Sequence, residues 1–161
     1  MKFENIYNVN DVEYEDWSLN EEYAGKTAEI ARQIGTTKLG FHVEILSPKK
    51  YSCPYHYHEL EEELFFVLEG EATLRQNNSY RTISKGDLIF FGLGEEYSHQ
   101  FYNHTDEDFK FIAISNLDKA DIAYYPDSGK VNIRRTREIF KIDDKVPYIK
   151  DEEDPSKYWN K

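Results

Sequence analysis

His56-Tyr57-His58-Glu59-Leu60-Glu61-Glu62-Glu63-Leu64-Phe65-Phe66-Val67-Leu68-Glu69-Gly70 is the stretch that decides how this chain is read. In an extended strand alternate side chains share a face, so His56 and His58 aim at one point. Glu63 lies an odd number of residues beyond His58 and cannot share that face by alternation, so the chain must turn between them. The polar run Glu59-Leu60-Glu61-Glu62 reads as that solvated turn. Leu64 to Leu68 then reads as the returning strand, opened by Glu63 beside the histidines.

Downstream, Gly86-Asp87 reads as a turn, Leu88-Ile89-Phe90-Phe91 as a buried strand and Gly92-Leu93-Gly94 as its reversal. A strand from Ser98 to Asn103 would place His99, Phe101 and Asn103 on one face. Three imidazole nitrogens and one carboxylate, from His56, His58, His99 and Glu63, make a donor set for one divalent transition metal. Fe, Mn, Zn, Ni or Cu all suit it, and only a sulfur-rich zinc site is excluded. Further strands are expected at 27–34, 38–46, 71–76, 80–83, 109–116 and 131–142, with hairpin turns at Glu69-Gly70-Glu71 and Asn77-Asn78-Ser79. Thirteen tyrosines and ten phenylalanines in 161 residues favour strands over helices, and the rhythm of short strands indicates an all-β sandwich or barrel.

These residues resemble the cupin superfamily of small double-stranded β-helix barrels. Its first motif (glycine, five residues, His-x-His, three or four residues, Glu, six residues, Gly) is met by His56, His58, Glu63 and Gly70, and its second by Gly86, Gly94, His99 and Asn103. Lys50 stands where the first glycine is usual and Gly92 where the second motif has proline. Four residues rather than two separate Gly94 from His99. The longer likeness, over residues 35–131 and including Tyr125-Pro126-Asp127-Ser128-Gly129-Lys130, is to single-domain cupins whose activity is mostly unassigned. It implies a cupin (jelly-roll) barrel over residues 25–131, preceded by an acidic arm at 1–24 and followed by an extension at 132–161. It also implies a metal that keeps one or two coordination positions open. The arm, with Phe3, Tyr7, Tyr14 and Trp17, reads as irregular chain or an added edge strand.

An open position on such a metal can bind a hydroxy-acid or diol, polarise a carbonyl, or activate water or dioxygen. By alternation from the ligands, Phe65, Val67 and Phe101 are expected to line the pocket, which suits a small organic molecule with an oxygen-donor head and an apolar or aromatic body. Two classes stand side by side: a metal-dependent oxygenase or isomerase/cyclase, and a non-catalytic small-molecule-binding or structural cupin. His42 is the one nearby candidate for a catalytic acid or base. It shares a strand face with Gly40 and Glu44, opposite Leu39, Phe41, Val43 and Ile45, and reads either as solvent-facing or as a base beside the metal. Cys53 reads as a small buried hydrophobe, His104 as a surface loop residue, and Tyr124 to Gly129 as a turn.

Net charge is −11, distributed as −5 over residues 1–35 (eight acidic, three basic), −8 over 36–129 (sixteen, eight) and +2 over 130–161 (seven, nine). So acidic a barrel would repel nucleic acid and anionic membranes, and Arg134, Arg135 and Arg137 read as a solvated strand face. One cysteine excludes an internal disulfide, and no apolar run approaches a membrane span. A cytoplasmic protein is expected, paired as a homodimer to cover its sheet edges.

Overall fold

Antiparallel pairing organises every strand of the computed structural model, which describes residues 6–159; Phe3 of the arm lies outside them. The first wall is a six-stranded sheet. In spatial order it runs β1 (Glu15–Ser18), β2 (Ala24–Ala28), β3 (Leu39–Leu46), β10 (Phe109–Asn116), β5 (Glu63–Glu69) and β8 (Leu88–Phe91). Facing it are a four-stranded sheet, β13 (Glu138–Lys141), β12 (Lys130–Ile133), β11 (Ile122–Tyr125) and β4 (Tyr57–His58), and a three-stranded one, β7 (Ser79–Ser84), β6 (Glu71–Gln76) and β9 (His99–Tyr102). Isolated bridges at His56↔His99 and Tyr51↔Tyr102 tie these last two sheets into one wall. The result is the expected all-β, double-stranded β-helix barrel.

Local chemistry explains the hairpins. Asn77 and Asn78 both take positive φ, 45° and 58°, the conformation a tight β6–β7 turn demands and asparagine tolerates. Gly70 joins β5 to β6 at φ 77°, and a Cβ there would stand 2.5 Å from the Asp108 carbonyl oxygen, so no other residue fits without moving backbone.

Two expected strands are corrected. The stretch 27–34 divides into the end of β2 and a one-turn helix, α1 (Ile30–Ile34), because Ile30 and Ala31 bury a helical face and Gly35 stops the turn in the left-handed region at φ 71°. The stretch 131–142 breaks into β12 and β13 around the turn Arg134 to Arg137, closed by the Arg137 N–H donating to the Ile133 carbonyl at 2.8 Å. The arm supplies the edge strand β1.

Between the walls lies an aromatic core. Phe65, Phe91, Phe101, Phe109 and Phe111 are all buried and stack edge-on or tilted, with Phe65–Phe101 at 5.1 Å and Phe109–Phe111 at 5.3 Å. Truncating any one of them to alanine should cost about 3–5 kcal/mol. A second cluster covers the outer face of the six-stranded sheet, where Ala28, Ile30 and Val43 pack with Val9, Val12, Tyr14 and Phe41. This settles the direction of β3. Its apolar residues Phe41 and Val43 point outward beneath the arm and α1, while His42, Glu44 and Leu46 face the barrel interior. No helix among the described residues is long and apolar enough to cross a membrane.

Candidate metal centre

The site is built where the two walls meet. His56 and His99 exchange backbone hydrogen bonds, His56 N to His99 O at 3.2 Å and His99 N to His56 O at 2.8 Å, so their side chains project together. Their ring centroids lie 4.7 Å apart, and His58, on the same face as His56, is 4.9 Å from it. Glu63 opens β5, but β5 belongs to the opposite wall. The carboxylate therefore meets the histidines across the interior and not beside them on a shared ladder. Its Oε2 lies 3.2 Å from His99 Nε2 and 3.7 Å from His58 Nε2. Donor atoms of His56, His58 and Glu63 all fall within 4.8 Å of one another. His99 stands just outside that trio but against its carboxylate, with its ring stacked on Phe91 at 3.7 Å and 2°.

Whether a cation suits these residues is answered by the ring nitrogens that face away. His56 Nδ1 lies 3.0 Å from the Pro54 carbonyl, His99 Nδ1 3.0 Å from the Tyr97 carbonyl, and His58 Nδ1 2.7 Å from Asp121 Oδ2. Carbonyls and carboxylates accept, so each Nδ1 carries a proton, and in a neutral ring Nε2 is then the nitrogen with the lone pair. Glu63 Oε2 is buried with no well-aligned donor, His99 Nε2 standing 3.2 Å from it. Three lone pairs around an unpartnered carboxylate oxygen fit a divalent ion.

Electrostatics hold Glu63 and His56 in the ligating form, but not His58. Burial alone would raise the Glu63 carboxyl, but the three imidazoles, His99 foremost, hold it down at about 2. Burial, reinforced by His99, lowers His56 to about 3 and keeps it neutral. His58 goes the other way: burial opposes its charge, yet the Asp121 carboxylate bonded to it, with Glu63 nearby, raises it.

Two residues of this neighbourhood escape sequence reasoning. Asp121, only 1% exposed, orients His58 and accepts the Leu60 N–H at 3.0 Å from the other oxygen. Glu61, expected in a solvated turn, is 2% exposed; it accepts the Asp118 N–H at 2.9 Å and pairs with the Arg134 guanidinium. Burial still raises its carboxyl, with Arg134 offsetting part of the effect. Glu61, Asp121 and His58 form a second group of potential ligands, but Arg134 already contacts both of its carboxylates.

Phe65, Val67 and Phe101 point inward as alternation predicts, yet they are packed into the core and form a closed floor under the histidines. The open space beside them mixes polar, charged and apolar walls. One cleft of about 650 Å³ runs past His56 and His58 between Lys119, Tyr125, Asn132 and the arginines of the β12–β13 turn. Tyr125 stacks on the His56 ring at 5.9 Å and 27°. A second cleft, about 470 Å³, reaches Glu63 from the side of His42. His42 is half-buried, with Nε2 3.5 Å from Glu44 Oε2; burial works against its charge, but the Glu44 carboxylate outweighs it and the pKa is raised. Glu44 Oε1, Thr27 Oγ1 and Trp17 Nε1 are buried without hydrogen-bond partners. Cys53 Sγ lies 3.6 Å from His56 Nδ1, the nitrogen facing away from the centre, and burial pushes the thiol up to about 12, so it is no ligand. Of the expected turn Tyr124 to Gly129, only Pro126 to Gly129 turns; Tyr124 and Tyr125 end β11, paired with Val131 and Lys130 of β12. His104 sits between Thr73 and Glu71, away from the site.

Residues 42–115 match the Cupin domain family. Over 67 residues the chain is 34% identical to the oxalate-binding protein of Thermotoga maritima, covering 42% of this chain and 54% of that protein, so it spans about half the length of that relative. A crystal structure from Acidithiobacillus ferrooxidans, of a protein proposed to be a sugar phosphate isomerase, superposes with a TM-score of 0.78 at 25% identity, over 86% of this chain and 91% of that one. A sugar phosphate isomerase of the cupin superfamily from Silicibacter pomeroyi does so with 0.74 at 20% identity, over 89% and 96%. The last likeness speaks for the fold alone.

Proposed function

The chain belongs to the cupin superfamily, and on that premise we propose that it binds one divalent transition-metal ion through His56, His58, Glu63 and His99 and holds a small organic molecule there by an oxygen-donor head. The observation that carries this reading is the arrangement of the Nδ1 atoms: three rings from two chain segments are each fixed by an acceptor behind them, so that Nε2 faces the unpartnered Glu63 oxygen. A core histidine satisfied for structural reasons alone would use both nitrogens. A bound ion of this kind polarises an oxygen donor or lowers the pKa of a coordinated water.

The remaining chemistry belongs to the chain. Phe65, Phe91 and Phe101 exclude water from below the histidines, and Asp121 fixes the His58 tautomer. His42, backed by Glu44, is the group placed to take up or return a proton at Nε2, with Glu63 lining the same cleft. That supports isomerisation, in which a proton moves and nothing is consumed, over oxygenation. The relatives' names, oxalate-binding protein and sugar phosphate isomerase, both concern small oxygen-rich anions, in keeping with an oxygen-donor ligand. The non-catalytic alternative is favoured by one observation, the pairing of His42 with Glu44, which leaves its acid–base nitrogen already engaged.

Elemental analysis of protein purified without chelator tests the metal. Close to one equivalent per chain is expected in the native protein and almost none in the double variant His56→Ala with His58→Ala. Equal content in both would end the assignment.

A further inference from the structure

We propose that Arg135, Arg137 and Lys119 anchor a phosphate monoester carried by the same small molecule whose oxygen-donor head occupies the metal centre; this rests on the metal reading above.

The chain is strongly acidic, yet its last 32 residues, 130–161, carry nine basic side chains against seven acidic. Three of those cations, Arg134, Arg135 and Arg137, fall in one four-residue turn. The fold sets that turn on the rim of the cleft lined by His56 and His58, with Lys119 beside it. Arg134 is engaged, paired with Glu61 and close to Asp121. Lys119, Arg135 and Arg137 have no ion-pair partner among the described residues. Gathering unpaired like charges at one rim is unfavourable in itself, and an anion entering the cleft relieves it.

Arg137 sits at φ 61°, and its N–H closes the turn on the Ile133 carbonyl at 2.8 Å, which fixes the turn on the cleft rim.

Chemistry selects the anion. Guanidinium forks match the paired oxygens of phosphate, and three unpaired cations suit a doubly charged group better than a lone carboxylate. Asn132 lines the same cleft and offers an amide donor, and Tyr125 supplies a flat wall between rim and His56. The cleft's 650 Å³ holds a small phosphorylated molecule reaching from the rim to the histidines.

Calorimetric titration of inorganic phosphate onto the metal-loaded protein, with malonate as the carboxylate probe, decides the matter. Arg135→Gln with Arg137→Gln should weaken phosphate at least ten-fold while metal content stays unchanged. Unchanged phosphate affinity in that variant overturns the anchor. Malonate binding more tightly than phosphate, with the same arginine dependence, overturns the phosphate assignment and gives the cleft to a dicarboxylate. Arginine-dependent phosphate binding by protein that takes up no metal sinks the metal reading alone and upholds the anchor.

Discussion

The two walls that meet at the centre are built on opposite terms. On the histidine wall every ring nitrogen facing away from the centre has a fixed acceptor, and Phe91 clamps the last ring from one side. On the β1–β2–β3 side the polar atoms Trp17 Nε1, Thr27 Oγ1 and Glu44 Oε1 are buried and unpartnered. Register puts them on one face: Trp17 lies opposite Gly25, Thr27 shares that face two residues on, and Glu44 lies opposite Thr27. A buried polar atom without a partner costs about 1–3 kcal/mol unless something arrives to meet it. One wall has its hydrogen bonding finished in the folded chain, and the other keeps three buried polar atoms unmet.

The contrast can be broken most sharply at its tightest point. Asp121→Asn keeps the shape but replaces the acceptor behind His58 with a weaker one, and metal affinity measured by competition with a chelator should fall about 10–100-fold. An unchanged affinity would mean that the histidine wall is not held in the way described.

A smaller effect is expected from pH on metal-stripped protein. His56 is held at about 3 in the folded state, against about 6.5 in an unfolded chain, so between those values the unfolded chain binds more protons and stability falls as pH falls. Glu63, at about 2, extends the same loss below its ordinary range. His58 is raised, so its contribution is fully present below the ordinary histidine value and fades only as pH climbs through its folded pKa. Thermal midpoints should therefore drop steadily from pH 6.5 to pH 4, and His56→Gln should flatten the upper part of that slope. A wild-type profile already flat there would contradict a buried neutral His56.

The smallest change is expected on the opposite wall. His42→Gln should alter metal affinity by less than about two-fold, as for a side chain that shares no partner with the ligands. A ten-fold loss would put His42 among the ligands and erase the difference between the walls.

Much of the centre was legible because its rules are local. A period of two brings His56 to His58, a polar run announces the turn before Glu63, and a glycine-bounded strand delivers His99. The direction of β3 was not legible: Gly40, His42 and Glu44 make a polar flank that alternation would turn to solvent, but Val9, Val12, Tyr14 and Ile30 bury the apolar flank on the outside and leave the polar one facing inward. Nor was the fate of Glu61. It looks like Glu59 and Glu62 in sequence, and only the long-range partners Arg134 and Asp118 draw it inside. Asp121 lies outside any motif, and no spacing rule links it to His58. The lining differed for a related reason: alternation says which residues point inward but not whether the interior is filled, and here five phenylalanines fill it.

The His58–Asp121 hydrogen bond joins positions 63 residues apart. During synthesis on the ribosome the motif-bearing segments emerge first, and the aspartate that sets the tautomer of His58 follows only after the sixth strand of the large sheet has left the exit tunnel. The tautomer of His58 is thereby fixed only once most of the polypeptide has been made.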